Sequence, residues 1–268
     1  MTQLSRCQFL LGTFVSIDIE ADAAEHELVA ASVLAFEAIK YVQQHFSFHD
    51  AQSELSKLNS RAHIKPVVVS AMLWDLLSWC LDLSVSSGGM FDVSVAPLLL
   101  KDGRLPNHWS AEEDRVVDYR CVQLEDGQVY FKQAMALDFG GVAKGMAVDL
   151  AMLQLESAFS GQLKQAVVNA GGDLRVCDWQ AYQLGIVNHE QQIIPHTMRQ
   201  VALASSAGYY DKGKSEIYHP QIQEAQYMKH TVSVFAPDCR TADALTKVAV
   251  LQPDHSVIKS YGAEVMVT

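Results

Sequence analysis

One segment constrains this chain most, because a strand-like run meets paired glycines and passes directly into a helical pattern: Leu137-Asp138-Phe139-Gly140-Gly141-Val142-Ala143-Lys144-Gly145. The first N–H groups of a helix have no partner within it, and the helix dipole adds positive potential there. Glycine has no Cβ, so Gly140 and Gly141 let the backbone approach a ligand closely. With Lys144 beside them, these groups predict a phosphate-binding helix end; the alternative is an ordinary strand-to-helix turn.

The spacing and the net charge narrow the kind of phosphate ligand. The glycines match neither the Gly-x-x-x-x-Gly-Lys-Ser/Thr phosphate loop nor the Gly-x-Gly-x-x-Gly dinucleotide fingerprint. The chain has 268 residues, with 20 basic and 31 acidic ones, and a net charge of −11. Proteins that coat nucleic acid or anionic membranes present a broad basic face, so the acidic excess argues against both partners. One local phosphate site is still compatible with it.

The pattern of elements predicts an α+β fold. Hydrophobic residues make up 49% of the chain, which is enough for a large core, and the length allows one large domain or two small ones. Short strand patterns cluster between a few long helices instead of alternating regularly with them. Asp126-Gly127 predicts a hairpin, and Cys7–Glu20 predicts one strand in which Gly12 marks a bulge or a close backbone approach. Helices are predicted over Ala21–Phe46, Ala71–Ser87, Val142–Phe159 and Asp238–Leu251.

Three features of the sequence bear on its compartment. No stretch approaches the roughly 18 apolar residues that span a bilayer. Leu4-Ser5-Arg6-Cys7 faintly resembles a lipoprotein cleavage box, but no apolar region precedes it. The five cysteines stand far apart, at 7, 80, 121, 177 and 239, which fits neither a disulfide framework nor a Cys-x-x-Cys site. We therefore expect a cytoplasmic protein, and a periplasmic one only if the given sequence lacks its leader.

Three further segments carry candidate site residues, each with a plain structural alternative. Asp243 and Thr246 share a helix face at i, i+3 and offer oxygen ligands that suit Mg²⁺, although an Asp in a first helical turn also offsets the helix dipole. A predicted buried strand ends at Asn169-Ala170-Gly171-Gly172-Asp173. The structural alternative is that these residues only form a tight turn. A predicted helix end is followed by Gly89-Met90-Phe91-Asp92, which places an aromatic ring and a carboxylate side by side. The structural alternative to a binding role is a helix C-cap followed by a core Phe.

These segments occur together in the order found in one family. The sequence resembles the FAD:protein FMN transferases, the ApbE family, along most of its length. The occurrence in one chain of both motifs, Leu-Asp-x-Gly-Gly-x-Ala-Lys-Gly and Ser-Glu-Leu-Ser-x-x-Asn, is a combination specific to this family. The resemblance is carried by Leu11-Gly12-Thr13-Phe14, Phe46-Ser47-Phe48, Ser53–Asn59, Gly89–Asp92, Leu137–Gly145, Asn169–Asp173 and Ala242–Leu245.

The resemblance implies a fold and an activity. The fold is an ApbE-like, T-fold-like α+β arrangement with mostly antiparallel sheets, in which residues 1–268 form one domain of two joined lobes with FAD between them. The activity is Mg²⁺-dependent transfer of the FMN part of FAD to a Ser or Thr hydroxyl of a partner protein, with release of AMP. Nothing in the sequence names that acceptor protein or the oligomeric state.

The resemblance also implies roles for individual residues. Phe48 stands where the family has a flavin-stacking Tyr, and Leu11 where it has a Met beside the ring. The implied metal ligands are the carbonyl of Gly141, Asp243 and the neighbouring Thr246. The remaining implied FAD contacts are Met90, Phe91, Asp92, Asp138, Lys144 and Asp173.

The chain departs from the family pattern at three places. The metal motif Asp-Ala-Leu-x-Thr has Lys247 at the expected ligand position, and lysine has no acceptor but is able to replace a cation. The family's Thr-Ser-Gly-Asp-Tyr becomes Ser205-Ser206-Ala207-Gly208-Tyr209, without the Asp. Tyr218–Ile222 lacks the family's Asp-Pro and Thr-Gly elements, which leaves His219 as the one base carried over from that segment.

Three hypotheses follow from the sequence. The first is an active flavin transferase that uses FAD and Mg²⁺. The second is an FAD-binding member of the family that has lost metal-dependent transferase activity, as Lys247 and the missing elements indicate. The third is an interaction protein built on the same scaffold.

Overall fold

The computed structural model describes residues 1–108, 114–188, 190–207 and 214–268. Gly208 and Tyr209 of the altered Ser205–Tyr209 segment lie outside that description. The chain divides into two compact units. The first comprises Met1–Gln43, Val142–Gly213 and Met228–Thr268, and the second Gln44–Gly141 and Lys214–Tyr227. A single domain with the flavin between its lobes stays a prediction.

The elements are short strands and a few long helices. The strands are β1 (Thr2–Leu10), β2 (Thr13–Ala21), β3 (Val67–Val68), β4 (Val122–Glu125), β5 (Gln128–Phe131), β6 (Leu163–Ala170), β7 (Asp173–Val176), β8 (Gln183–Val187), β9 (Ile193–Thr197), β10 (Ala202–Ser206), β11 (Lys214–His219), β12 (Glu224–Tyr227), β13 (Val232–Ala236) and β14 (Glu264–Val267). The helices are α1 (Glu25–Phe46), α2 (Glu54–Arg61), α3 (Ala71–Ser86), α4 (Ala96–Lys101), α5 (Ala143–Phe159), α6 (Cys239–Leu251) and α7 (Ser256–Ser260).

The first unit is built on one antiparallel sheet. Seven of the described strands form it, in the order β1-β2-β6-β7-β10-β13-β14. Helices α5 and α6 pack against each other and against this sheet. A separate apolar cluster joins sheet residues such as Val167, Leu174 and Phe235 to Ile186 of the β8–β9 hairpin. The predicted α+β class with mostly antiparallel sheets is confirmed.

The N-terminal prediction of one strand is wrong. Leu11 and Gly12 have φ values of 56° and 74° and close a hairpin between β1 and β2, whose residues pair from Leu10 with Thr13 onward. Two consecutive positive φ angles are what a two-residue hairpin turn with the correct twist requires. The glycine therefore marks a reversal of the chain and not a bulge. Helix α1 begins at Glu25 because β2 continues to Ala21.

Helices α5 and α6 cross at their first turns without room for a side chain. A Cβ on Gly145 would lie well under 3.0 Å from the main-chain oxygen of Cys239. The Asp149 carboxylate of α5 accepts hydrogen bonds from the N–H groups of Cys239 and Arg240, both at 2.9 Å. It therefore satisfies two of the unpaired donors at the start of α6. These contacts fix the first turn of α6 on the first two turns of α5.

In the second unit, Asn59 anchors the segment that precedes the paired glycines. Its side-chain N–H₂ donates to the Leu137 carbonyl and its side-chain oxygen accepts from the Leu137 N–H, both at 2.8 Å. Asn59 and Leu137 are fully buried. The Ser53 hydroxyl caps the helix that carries Asn59 by accepting from the Ser56 N–H. The Ser-Glu-Leu-Ser-x-x-Asn motif thus holds Leu137 and, next to it, Asp138.

Replacement of Gly145 by Ala is expected to lower the free energy of unfolding by about 3 kcal/mol, because the new methyl group forces two packed backbones apart. Urea denaturation measures this loss. Ser157→Ala, on an exposed turn of the same helix, is the matched control and should change stability by less than about 0.5 kcal/mol. Equal stability of Gly145→Ala and the unsubstituted protein would contradict the close crossing.

Asn59→Ala is expected to cost about 3 kcal/mol, since it leaves a buried N–H and a buried C=O of Leu137 without partners. Lys57→Ala, on the exposed face of the same helix, should stay close to the unsubstituted protein in the same urea experiment. A small loss for Asn59→Ala would show that other groups satisfy Leu137.

Candidate functional site

The first unit contains a cluster of two carboxylates and two lysines. Lys144, in the first turn of α5, has its Nζ 3.0 Å from Oδ2 of Asp173 and 4.0 Å from Oδ2 of Asp243. Lys247, one turn beyond Asp243 on α6, pairs with Oδ1 of Asp243. Three separate elements, α5, β7 and α6, supply these groups. The structure thereby brings together three predicted site residues, Lys144, Asp173 and Asp243.

The carboxylates of the cluster favour the charged form of Lys144. Desolvation opposes the charge of Lys144, but Asp173 and Asp243 outweigh it and raise the pKa of its ammonium group. Burial raises the pKa of Asp173, with Lys144 acting in the opposite direction. Burial likewise disfavours ionised Asp243, yet Lys144 and Lys247 lower its pKa below the ordinary value. The Lys144 side chain keeps 32% of its surface exposed, so a ligand anion has access to a fixed positive charge.

The helix end differs in one respect from the sequence prediction. The N–H of Gly145 does not face an open phosphate site, because it donates to Oδ2 of Asp243 at 3.1 Å. A carboxylate of the protein itself thus occupies part of the anion-binding end of α5. The positive charge available to a ligand comes from Lys144 and Lys247.

The oxygens of Asp243 do not fit a bound Mg²⁺. Oδ1 contacts the Lys247 ammonium, Oδ2 accepts from Gly145, and the main-chain oxygen accepts from Thr246 Oγ1 at 2.7 Å and from Lys247 Nζ at 3.0 Å. Mg²⁺ requires several oxygens at close range in near-octahedral geometry. An ammonium group already seated on the carboxylate would repel a second cation. Within the described ranges, no group of three or more His, Cys, Asp or Glu is arranged to hold a metal ion.

Thr246 is buried and already engaged. Its hydroxyl donates to the Asp243 carbonyl and accepts from Ser206 Oγ at 2.9 Å. Ser206, from the altered Ser205–Tyr209 segment, is a contact that sequence reasoning did not find. The predicted metal-ligand role of Thr246 stays a prediction that these contacts do not favour.

The glycine pair after β6 forms a tight hairpin beside the N-terminal hairpin. Gly171 and Gly172 have φ values of 67° and 104°, and the Gly172 N–H donates to Oδ1 of Asn169 at 2.9 Å. A Cβ on Gly171 would lie 2.5 Å from Oγ1 of Thr13. The close approach explains why the turn needs glycine, and the turn delivers Asp173 to Lys144.

Leu11 lies in the turn of the N-terminal hairpin. Its N–H donates to the side-chain oxygen of Gln43 at 2.6 Å, which ties the turn to α1. Phe9 and Phe14 flank this turn with an edge-to-face contact at 5.6 Å, and both rings are largely exposed.

In the second unit, Asp138 and Asp92 both organise local backbone. Oδ2 of Asp138 accepts from the Gly140 N–H at 3.0 Å, and the Asp138 N–H donates to the Val93 carbonyl at 2.8 Å. The buried Asp92 accepts from the N–H of Ser94 at 2.7 Å and of Tyr119 at 3.2 Å. Burial raises the pKa of Asp92.

Two aromatic positions of the resemblance are buried in the second unit. Phe91 is a core residue, and Met90 next to it is half-buried. Phe48 stacks on His108 at 6.1 Å between ring centres, and His108 Nε2 lies 2.7 Å from the Phe48 carbonyl. His108 as a partner of Phe48 was not found from the sequence, because 60 residues separate them. Neither the stack nor the burial tests their predicted FAD contacts.

His219 ends β11, next to a tyrosine whose hydroxyl is already engaged. Its Nδ1 is buried and has no hydrogen-bond partner among the residues that the structure describes. The neighbouring Tyr218 donates its hydroxyl to Asp102. Burial, reinforced by Asp102, raises the pKa of Tyr218 to about 12, so its phenol stays protonated at neutral pH. Of these two neighbours, only His219 offers a base.

No described helix combines the length and the apolar character needed to cross a membrane.

Comparison with known proteins places the chain in a family. The ApbE family model matches residues 11–265. The fold is similar to the ApbE protein of Thermotoga maritima, with a TM-score of 0.82 at 23% identity over 99% of this chain and 94% of the other. Flavin transferase ApbE from Vibrio cholerae has a TM-score of 0.82 at 21% identity, over 99% of this chain and 93% of the other. Pseudomonas stutzeri flavinyl transferase ApbE, in its apo form, has a TM-score of 0.78 at 19% identity, over 100% of this chain and 94% of the other. No curated protein sequence matches. Because the family model covers nearly the whole sequence and the fold agrees, the chain belongs to the ApbE family.

Proposed function

We propose that this protein is a flavin transferase that moves the FMN part of FAD to a Ser or Thr hydroxyl of a partner protein and releases AMP. Family membership supports the proposal, and two solved structures of the same fold are flavin transferases by name. The observation that carries it is the partly exposed side chain of Lys144 at the start of α5, whose ammonium group is held by Asp173 and Asp243. A pyrophosphate needs such a fixed positive charge.

The reaction divides into bond changes at phosphorus and one proton transfer. The acceptor hydroxyl oxygen forms a bond to the FMN phosphorus, while the bond from that phosphorus to the bridging oxygen breaks and AMP leaves with this oxygen. Lys144 stabilises the negative charge on the phosphate oxygens in the transition state. We assign the removal of the hydroxyl proton to His219, the base that the family resemblance carries over.

The other family positions are proposed as binding groups for FAD. Leu11 and Phe48 contact the flavin ring, the latter in place of a tyrosine. The remaining contacts are assigned to Met90, Phe91, Asp92, Asp138 and Asp173. Mg²⁺ and a metal-ligand role for Gly141, Asp243 and Thr246 follow from the resemblance alone; since the surroundings of Asp243 do not suit the ion, no step is derived through it.

A second candidate is an FAD-binding protein without transferase activity. It is favoured by Lys247 at the expected ligand position and by its contact with Asp243. The two candidates differ in one experiment, in which purified protein is incubated with FAD and candidate acceptor proteins. Covalent flavin fluorescence on an acceptor, with release of AMP, supports the transferase. Bound FAD without transfer to any acceptor supports the second candidate.

Replacing Lys144 by Met is expected to weaken FAD binding by about tenfold to a hundredfold, because a charge-assisted contact to phosphate is lost. Quenching of flavin fluorescence measures the Kd. Lys164→Met, at an exposed lysine of the same unit, should leave the Kd unchanged. Thermal unfolding of Lys144→Met checks that the protein still folds when Asp173 has lost its lysine partner. Lys144→Arg keeps the positive charge and should retain more of the affinity for FAD than Lys144→Met. Unchanged binding in Lys144→Met would refute the role.

His219→Ala is expected to slow transfer by about a hundredfold to ten-thousandfold, the usual contribution of a general base. The Kd for FAD should stay the same, because the histidine acts on the acceptor hydroxyl. Single-turnover flavinylation gives the rate and fluorescence titration gives the Kd. His26→Ala, at an exposed histidine of α1 in the first unit, is the control. Equal loss of rate and affinity would point to a binding role instead.

A further inference from the structure

We propose that the ammonium group of Lys247 takes the place of a divalent cation beside Asp243, so that this chain binds the phosphates of its ligand through two lysines and no metal ion. The identity of the ligand as FAD rests on the proposed function. The exclusion of the metal does not, because it concerns contacts within the chain.

The first support is the position of Lys247 on its helix. Asp243 and Lys247 lie at i and i+4 on α6 and therefore share a face. Nζ of Lys247 contacts Oδ1 of Asp243 and, at 3.0 Å, its main-chain oxygen. One ammonium thus occupies a carboxylate oxygen that a metal ion at Asp243 would need. At this helix position the family pattern has threonine, whose hydroxyl is a ligand and not a cation.

The second support is the balance of buried charge. The Asp243 side chain is only 1% exposed, and a carboxylate buried to this degree requires a nearby positive charge. With lysine at 247, the carboxylates of Asp173 and Asp243 meet the two ammonium groups of Lys144 and Lys247. With an uncharged residue at 247, one carboxylate would lack a cation of its own. In a site with threonine at this position, a metal ion would supply the missing positive charge. In this chain Lys247 supplies it.

The third support is the donor capacity that remains for a ligand. An ammonium group has three donors. The contacts of Lys247 with described residues are both to Asp243, and its side chain is 21% exposed. One N–H is therefore available to an anionic oxygen. Together with Lys144, it provides the positive charge that a phosphate group would otherwise receive from a metal ion.

The test measures metal binding directly on the full chain without ligand, with Mn²⁺ as a probe for Mg²⁺ and electron paramagnetic resonance as the readout. The unsubstituted protein should bind no stoichiometric Mn²⁺. Lys247→Thr should gain one ion per chain, because it restores a hydroxyl and frees Asp243. Lys247→Met, which removes the charge without adding an oxygen, should gain much less. Lys259→Thr, at an exposed lysine of α7, should gain nothing.

A second measurement uses FAD. The Kd of the unsubstituted protein should be the same in MgCl₂ and in EDTA, whereas that of Lys247→Thr should improve by about tenfold in MgCl₂. If Lys247→Thr does not fold, as judged by circular dichroism, Lys247→Ser replaces it in both assays.

Three results would overturn the inference. The first is stoichiometric Mn²⁺ binding by the unsubstituted protein, and the second is an affinity for FAD that rises tenfold with Mg²⁺. The third is a folded Lys247→Thr that binds no Mn²⁺, because the lysine would then not be what excludes the ion. Failure of the unsubstituted protein to bind FAD at all would contradict the proposed function and leave the Mn²⁺ result to decide this inference alone.

Discussion

The buried carboxylate of Asp243 is the group around which the first unit is arranged. It accepts from the Gly145 N–H at the start of α5, pairs with Lys247 on its own helix and lies 4.0 Å from Lys144. A carboxylate without water needs such partners, since isolated buried charge is strongly unfavourable. The close crossing of α5 and α6 at Gly145 is what allows the contact, because a larger residue there would separate the two helix ends.

Glycines and one asparagine position the other groups. Gly171 and Gly172 turn the chain so tightly that Asp173 opens β7 beside Lys144. Asn59 holds both backbone groups of Leu137 and so fixes the approach to Gly140. None of these residues carries reaction chemistry. Their effect is to make backbone geometry rigid where charged side chains are presented, which reduces the cost of ordering those side chains on binding.

Local patterns predicted the elements with strong signals. Helix α3 stops where Gly88 and Gly89 take positive φ values, and the Asp126-Gly127 turn joins β4 to β5 as its sequence indicates. The first hairpin was missed, because a turn of Leu11 and Gly12 with a single glycine resembles a bulge within one strand. Sheet order was also not predictable, since pairings such as β2 with β6 join residues about 150 apart and depend on tertiary packing.

The sequence alone determined the α+β class, the family resemblance and most of the residues that carry charge in the site. The fold class follows from composition and periodicity, and the site residues follow from the motifs that resemble the family, all of which are local properties. Only the tertiary structure decided which oxygen of Asp243 the start of α5 engages, because Gly145 lies 98 residues away along the chain. It also decided that the Gly145 N–H serves a carboxylate of the protein, whereas the i, i+4 spacing on α6 already placed Lys247 on the same helix face as Asp243. The physical reason is that a buried charge is satisfied by whatever the fold brings within contact distance, which spacing along the chain does not specify.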